Sequence, residues 1–194
     1  MTNVLIVYAT DYGNTRRMAE TIASGAMSVP DTQVSVKLAD DVTKDDLIAS
    51  DAVIVGTPVH MGSPDWRVKK FIDTVCSRLW MKDSMIGKVG AVFATGSGYG
   101  NAGGGCELTM LTLLNNLVEL GLVIVPLPKN TPGYHLAGLQ WGPYARSAGE
   151  KMEQTGVTEE RLEAARHHGA NVSRIASVLK GHDLFAKPTP VLAQ

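Results

Sequence analysis

Three short stretches of this chain place hydroxyls, glycines and a histidine where they can hold a phosphate and a flat ring. The first is Thr10-Asp11-Tyr12-Gly13-Asn14-Thr15. It follows the apolar run Val4-Leu5-Ile6-Val7-Tyr8 and precedes Met18, Ala19, Ile22, Ala23, Ala26 and Met27, which recur at helical intervals. A strand passing through such a turn into a helix, expected over Arg16 to Ser28, is an anion site. The helix N-terminus supplies unpaired N–H groups and a favourable dipole, and Thr10, Asn14 and Thr15 add side-chain donors. The simpler reading is an ordinary βα turn with Asn14 or Thr15 as N-cap.

The second stretch is Thr57-Pro58-Val59-His60-Met61-Gly62, a turn whose backbone is restrained by Pro and opened by Gly. The third is Thr95-Gly96-Ser97-Gly98-Tyr99-Gly100-Asn101-Ala102-Gly103-Gly104-Gly105. Glycines lack Cβ and let backbone amides approach a heterocycle closely. The first turn has no Lys of the kind a nucleoside triphosphate loop carries, so it suits a phosphate monoester. Together the three describe a site for flavin mononucleotide (FMN). Its expected contacts are Thr10 to Thr15, Pro58 to Gly62, and Thr95, Gly96, Ser97, Gly98, Tyr99 and Gly100. Gly96-x-Gly98 alone is a poor dinucleotide fingerprint, because it follows a fourth strand and Asn101 stands in place of the third glycine.

The elements that must position these turns read as alternating strands and helices. Val34, Val36 and Leu38 alternate as in an edge strand, while Ala52-Val53-Ile54-Val55-Gly56 and Val89 to Ala94 are continuous apolar runs, as in buried parallel strands. Val68, Phe71, Ile72, Val75 and Leu79 have helical spacing after Pro64, and Leu111, Leu114, Leu117 and Val118 form a helix face ending at Gly121. Leu122 to Val125 reads as the fifth strand. Residues 128–157 show no periodicity but hold Tyr134, His135, Trp141 and Tyr144, which need a surface to pack on. Thr158 caps a last helix carrying Leu162, Ala165, Val172, Ile175 and Leu179 up to Gly181. The expectation is an α/β, doubly wound sheet of five parallel strands in the order 2-1-3-4-5 with helices on both faces, spanning residues 1–181, with a tail over 182–194. In that order the turns after strands one, three and four meet at the switch point where such sheets bind ligands.

With 194 residues and a net charge of -1, the chain gives no electrostatic reason to bind nucleic acid, and no apolar run reaches membrane-span length. Two cysteines, Cys76 and Cys106, make no disulfide framework, and a cytoplasmic protein is expected. Cys76 reads as packing and Cys106, opening a helix, as a bystander despite the thiolate-favouring position. His167-His168 reads as a solvated helix face, and no metal site is expected.

Beyond these residue-level readings, the sequence resembles the flavodoxin-like NAD(P)H:quinone oxidoreductases of the tryptophan-repressor-binding-protein (WrbA) type, from Val4 to about Leu179. The resemblance rests on Thr10 to Thr15, Gly56-Thr57-Pro58, Phe71-Ile72-Asp73, Leu79-Trp80, Gly87-Lys88, Thr95-Gly96 with Gly103-Gly104-Gly105, and Gly121 to Pro126. It implies a tetramer with FMN in the three loops, hydride transfer from NAD(P)H, and two electrons passed to a quinone or related small acceptor. Trp80 matches a tryptophan that reaches a neighbouring subunit's flavin, and Tyr12 a tyrosine near the nicotinamide. His60-Met61 stands where the family has Arg-Phe, and Glu119-Leu120 where it has a histidine; His135 is the candidate replacement. The long insertion after the family's second strand is absent, and the third loop is lengthened around Tyr99 to Ala102.

His60, Trp80 and Tyr12 are therefore the expected catalytic residues in a homodimer or homotetramer. His60 can bond the flavin or steady negative charge on its reduced ring; a solvent-facing loop histidine is the alternative. Two other functions stay open: a flavodoxin-type electron carrier, and an FMN-binding scaffold or regulator without quinone reductase activity.

Overall fold

The computed structural model describes residues 1–99 and 103–186. In chain order the elements are β1 (Thr2–Tyr8), α1 (Asn14–Met27), β2 (Thr32–Leu38), α2 (Lys44–Ala49), β3 (Ala52–His60), β4 (Ser63–Pro64), α3 (Trp66–Phe71) and α4 (Ser77–Trp80). They continue with β5 (Val89–Gly96), α5 (Cys106–Glu119), β6 (Val123–Ile124), α6 (Tyr134–Ala137), β7 (Gly138–Leu139), β8 (Gly142–Arg146) and α7 (Glu163–Leu179). A π turn over Ile72–Cys76 joins α3 to α4 in one helical arm.

Four parallel strands stand in the order β2-β1-β3-β5. The fifth position is shared by two pieces. β6 pairs with Val89 and Gly90 at the amino end of β5, and β8 pairs with Ala94, Thr95 and Gly96 at its carboxyl end, both in parallel. The 2-1-3-4-5 order is thus present, but Leu122 to Val125 supplies only the half remote from the ligand edge. The nearer half comes from within 128–157, the stretch that shows no periodicity. Gly142-Pro143-Tyr144-Ala145-Arg146 is a poor strand former by composition, and its first four residues are buried from both sides, so no alternation marks it.

Side chains of the central strands divide between two cores. Leu5, Val7, Val53, Val55 and Val92 face the layer of α3, α4 and α5, with Phe71, Leu113 and Leu117 among their partners. Val4, Ile6, Ile54 and Phe93 face α1 and α7, against Met18, Ile22 and Val172. The latter two helices touch backbone to backbone. A Cβ on Gly25 would lie 1.8 Å from the Arg166 carbonyl oxygen, and one on Gly169 would lie 2.0 Å from that of Ile22. Glycine at both points is a steric requirement of this crossing.

Several expected boundaries and faces shift. α1 starts at Asn14, and its N-cap is Gly13 at φ 82 with no side-chain cap, in place of Asn14 or Thr15. Asp65, following Pro64, caps α3 by accepting from Arg67 N. On α5 the buried face is Cys106, Met110, Leu113, Leu114 and Leu117, whereas Leu111 and Val118 are exposed, so the apolar stripe is rotated from the expected one. His168 lies wholly inside the protein, where a solvated face was expected. The small residues Ala164, Ala165, Gly169, Ala170 and Ser173 around it make α7 buried over much of its surface, so polarity alone misplaces the imidazole.

Candidate functional site

The turns that follow β1, β3 and β5 converge at the carboxyl edge of the sheet on one cavity of about 410 Å³. Thr10, Asp11, Tyr12, Asn14 and Thr15 line it from the first turn, Pro58, Val59, His60, Met61 and Gly62 from the second, and Thr95, Gly96, Ser97 and Gly98 from the third. Gly13 lies behind this surface, turning the chain into α1. Tyr99 stands outside it with its ring 5.3 Å from the Arg146 guanidinium carbon, a cation–π contact. Gly100 falls outside the described residues. Gly104 joins them from the expected glycine-rich loop, whereas Ser147 and Met152 also line the cavity and went unanticipated. Ser147 arrives because β8 ends beside Gly96, and that strand carries no periodic signal.

In the first turn the Gly13 N–H donates to Thr10 Oγ1 at 3.0 Å, and Arg17 N–H to Gly13 O at 2.9 Å makes the first intrahelical bond of α1. The N–H groups of Asn14, Thr15 and Arg16 precede that bond and have no acceptor within the helix. Thr15 Oγ1 and Thr95 Oγ1 are 2.8 Å apart in the interior, joining the first loop to the third. Asn14 points elsewhere: its Oδ1 accepts from Val157 N at 3.2 Å. Arg17 bonds the Val157 carbonyl and, at 2.6 Å, Glu159. These contacts tie the segment after β8 against the turn and make Ser147 and Met152 a fourth wall.

The second loop reverses between His60 and Ser63, with Met61 at φ 49 and Gly62 at φ 75. Gly62 sits against the third loop so closely that a Cβ on Gly105 would lie 2.6 Å from its Cα. The Met61 side chain is fully exposed and Tyr12 is 78% exposed, so two apolar side chains stand free at the mouth.

Behind the mouth lies a charged cluster. His60 Nε2 is 3.2 Å from Asp11 Oδ2, and its Nδ1 is 3.2 Å from Asp65 Oδ2. Arg67 Nη2 contacts the same two carboxylates, at 2.7 Å and 2.6 Å. Asp65 is completely buried, and its backbone N–H donates to Thr57 Oγ1 at 2.8 Å. Burial pushes the Asp65 carboxyl up, but hydrogen bonds from the Arg67 side chain and backbone, with the charges of Arg67 and His60, hold it below its ordinary value. Arg67 is raised, chiefly by its bond to Asp65. Ligand atoms of Asp11, His60 and Asp65 lie within 4.8 Å of one another, the spacing of a metal site. The guanidinium already serves both carboxylates as their cation, which argues against a metal there. Asp65 and Arg67 belong to this cluster, and the sequence reading passed over both; an Asp placed directly before a helical run is their one visible signal.

Trp80 is absent from this cavity. It is 47% exposed at the end of α4, in a shallow groove with Ile72, Cys76, Asn116 and Leu120. Leu120 is buried there, and His135 lies in α6, neither lining the 410 Å³ cavity. Burial pushes the thiols of Cys76 and Cys106 up to about 12 and about 11, so helix position does not activate Cys106. A larger cavity of about 520 Å³ lies at the amino edge of the sheet, between Asp51, Lys88 and the segment ending in Leu184 and Phe185. It has neither the convergent loops nor the helix N-terminus of the carboxyl-edge site. No helix among the described residues is long and apolar enough to cross a membrane.

Comparison with known proteins agrees with this geometry. Residues 6–110, more than half of the chain, match the family model for flavodoxin. A flavodoxin of Aquifex aeolicus is 37% identical over 124 residues, which make up 64% of this chain and 64% of that protein. An NAD(P)H dehydrogenase (quinone) of Paraburkholderia phymatum is 33% identical over an alignment covering 93% of this chain and 100% of that one. Among solved structures, the flavodoxin, WrbA-like protein from Agrobacterium tumefaciens superposes with a TM-score of 0.70 at 29% identity, covering 93% of this chain and 100% of that chain. The chain belongs to the flavodoxin family and, within it, to the NAD(P)H dehydrogenase (quinone) group of WrbA type.

Proposed function

We propose that this protein is an FMN-dependent oxidoreductase that takes a hydride from NAD(P)H and passes two electrons to a quinone or similar acceptor. The observation that carries this reading is the meeting of three loops, one at a helix N-terminus and one glycine-rich, on a single cavity at the sheet's carboxyl edge. The residues fit FMN. The free N–H groups of Asn14, Thr15 and Arg16 with the Thr10 hydroxyl suit a phosphate monoester. Gly62, Gly96, Gly98 and Gly104 line the cavity, and without Cβ atoms they leave room for a planar ring system. FMN, when bound, supplies acceptance and release of an electron pair. The protein's part is to anchor the phosphate, orient the ring between the second and third loops, and keep the mouth open to acceptors between Tyr12 and Met61.

The catalytic roles of Tyr12, His60 and Trp80 belong to the same proposal. Trp80 lies outside its own chain's cavity, so a part for it in the chemistry requires a neighbouring subunit, and the reading therefore includes a homodimer or homotetramer. Sedimentation showing only monomers at micromolar concentration removes the Trp80 role. The reading as a whole is tested by reconstituting the purified protein with FMN and following NAD(P)H oxidation with a panel of benzoquinones. Absence of quinone-dependent oxidation overturns it.

The family match also favours a second reading, a flavodoxin-type electron carrier. Such a carrier takes electrons from a protein partner and oxidises no NAD(P)H directly, so the same assay separates the two. A net charge of -1 offers little steering for such partners.

A further inference from the structure

We propose that Asp65 is a positioning residue that holds His60 as proton donor to the electron acceptor, with Asp11 linking the imidazole to solvent. The inference rests on the quinone reductase reading and deepens it.

The geometry has a fixed end and an open end. Asp65 has no exposure, caps α3, and receives the Arg67 backbone N–H, Nε and Nη2 at 2.8, 2.8 and 2.6 Å. A carboxylate so held cannot swing, and it presents Oδ2 to His60 Nδ1 at 3.2 Å. Asp11 lines the cavity wall, with a side chain 40% exposed, and faces His60 Nε2 at 3.2 Å. His60 and Asp11 line the cavity, whereas Asp65 and Arg67 do not.

Both ring nitrogens thus face carboxylate oxygens, an arrangement in which both have acceptors only when both carry protons. Two carboxylates against one guanidinium leave a single negative charge, which an imidazolium balances. The groups that face the ring are Asp11 from the first turn, with Asp65 and Arg67 from the start of α3. In the proposed state the ring carries both protons, Nδ1–H on Asp65 and Nε2–H on Asp11 at the cavity wall.

Reduction of a quinone consumes one hydride from NAD(P)H and one proton. The hydride provides both electrons and one hydrogen. In the proposed step an acceptor oxygen takes the place of Asp11 Oδ2 before His60 Nε2, the Nε2–H bond breaks and an O–H bond forms at that oxygen as the electron pair arrives there. The imidazole regains its proton from water through the Asp11 carboxylate. Asp65 keeps the Nδ1 proton throughout and so fixes the ring orientation.

The test uses the full chain loaded with FMN and two acceptors, a benzoquinone, which takes up protons, and ferricyanide, which takes electrons alone. His60→Gln is expected to lower the quinone-to-ferricyanide rate ratio by about 100-fold, the lower end of the usual range for losing a general acid. Asp65→Asn keeps a capping oxygen for α3 and is expected to lower the ratio in the same direction. Nitrogen-15 histidine spectra of the full chain give a readout independent of turnover: His60 Nδ1 carries a proton in the wild type, and its resonance moves in Asp65→Asn. A ratio within about twofold of wild type in His60→Gln overturns the proposal, the usual loss being far larger; so does a wild-type Nδ1 without a proton. If the wild type reduces ferricyanide and no quinone, the functional reading falls and this step with it. If it reduces quinones and the His60→Gln ratio is unchanged, only this step falls.

Discussion

Thr15 and Thr95, 80 residues apart in sequence, share a buried 2.8 Å hydrogen bond between their hydroxyls, directly beneath the cavity. One hydroxyl comes from the first turn of α1 and the other from β5, so the bond sets the spacing of two loops that meet one ligand. Replacing either threonine by valine keeps the shape and strands the other hydroxyl, at a cost of about 1–3 kcal/mol. Replacing both is expected to cost less than the sum of the two single changes. Urea unfolding of the three variants checks the non-additivity, and additive losses would deny the coupling.

The carboxylate of Asp65 makes the protein acid-sensitive. Its folded value is depressed, against the pull of burial, by Arg67 hydrogen bonds and charge. In the unfolded chain the group titrates near 4. Below that point the unfolded state binds the proton first, so the contribution is complete above about pH 4 and fades as pH falls through the folded value. Asp65→Ala removes a cap and one of the two carboxylate partners of Arg67, and is expected to destabilise by about 2 kcal/mol at pH 7. Denaturant midpoints at pH 7 and pH 3 check this, the difference between variant and wild type shrinking at the lower pH.

His168 carries a second acid sensitivity at higher pH. Burial lowers its pKa to about 4, and neither ring nitrogen has a hydrogen-bond partner among the described residues. Between the unfolded value near 6.5 and the folded value the unfolded chain holds the extra proton, so stability falls as pH drops through that window. The integrated loss is about 3 kcal/mol. His168→Phe, which cannot charge, should flatten the stability profile from pH 6.5 to 4. An unchanged slope in the variant would assign the acid response to other groups.

The contact between α1 and α7 leaves no room for a methyl group. Gly169→Ala would place Cβ 2.0 Å from the Ile22 carbonyl oxygen, and Gly25→Ala would do the same at Arg166. Each should cost more than about 2 kcal/mol, despite the better helix propensity of alanine, because backbone must move. Thermal unfolding gives the answer directly. A stabilised variant would show that the helices can part without loss.

What could be read from the chain follows the distance over which each signal acts. Val4 to Tyr8, Ala52 to Gly56 and Val89 to Ala94 are runs whose neighbours in sequence suffice to mark buried strands, and the three turns they feed stand where that reading puts them. The left-handed cap at Gly13, the inward turn of His168 and the pairing of Gly142 to Arg146 depend on atoms far along the chain. The His60, Asp65 and Arg67 cluster was half legible: the histidine attracts notice by its chemistry, whereas its partners look like a routine helix cap and a surface cation. Position in space, not residue type, gives Asp65 its meaning.

The fourth wall of the cavity has a bearing on how the protein matures. Val157 reaches Asn14 across 143 positions, and Ser147 reaches Gly96 across 51. Closing the loop to Val157 carries the larger entropic cost, since β1 pairs with β3 across only 48 positions, Val4 with Ala52. A growing polypeptide therefore pairs β1, β3 and β5 before β8 and the segment to Val157 arrive, and the receptacle at the sheet's edge is the last part of the domain to be enclosed.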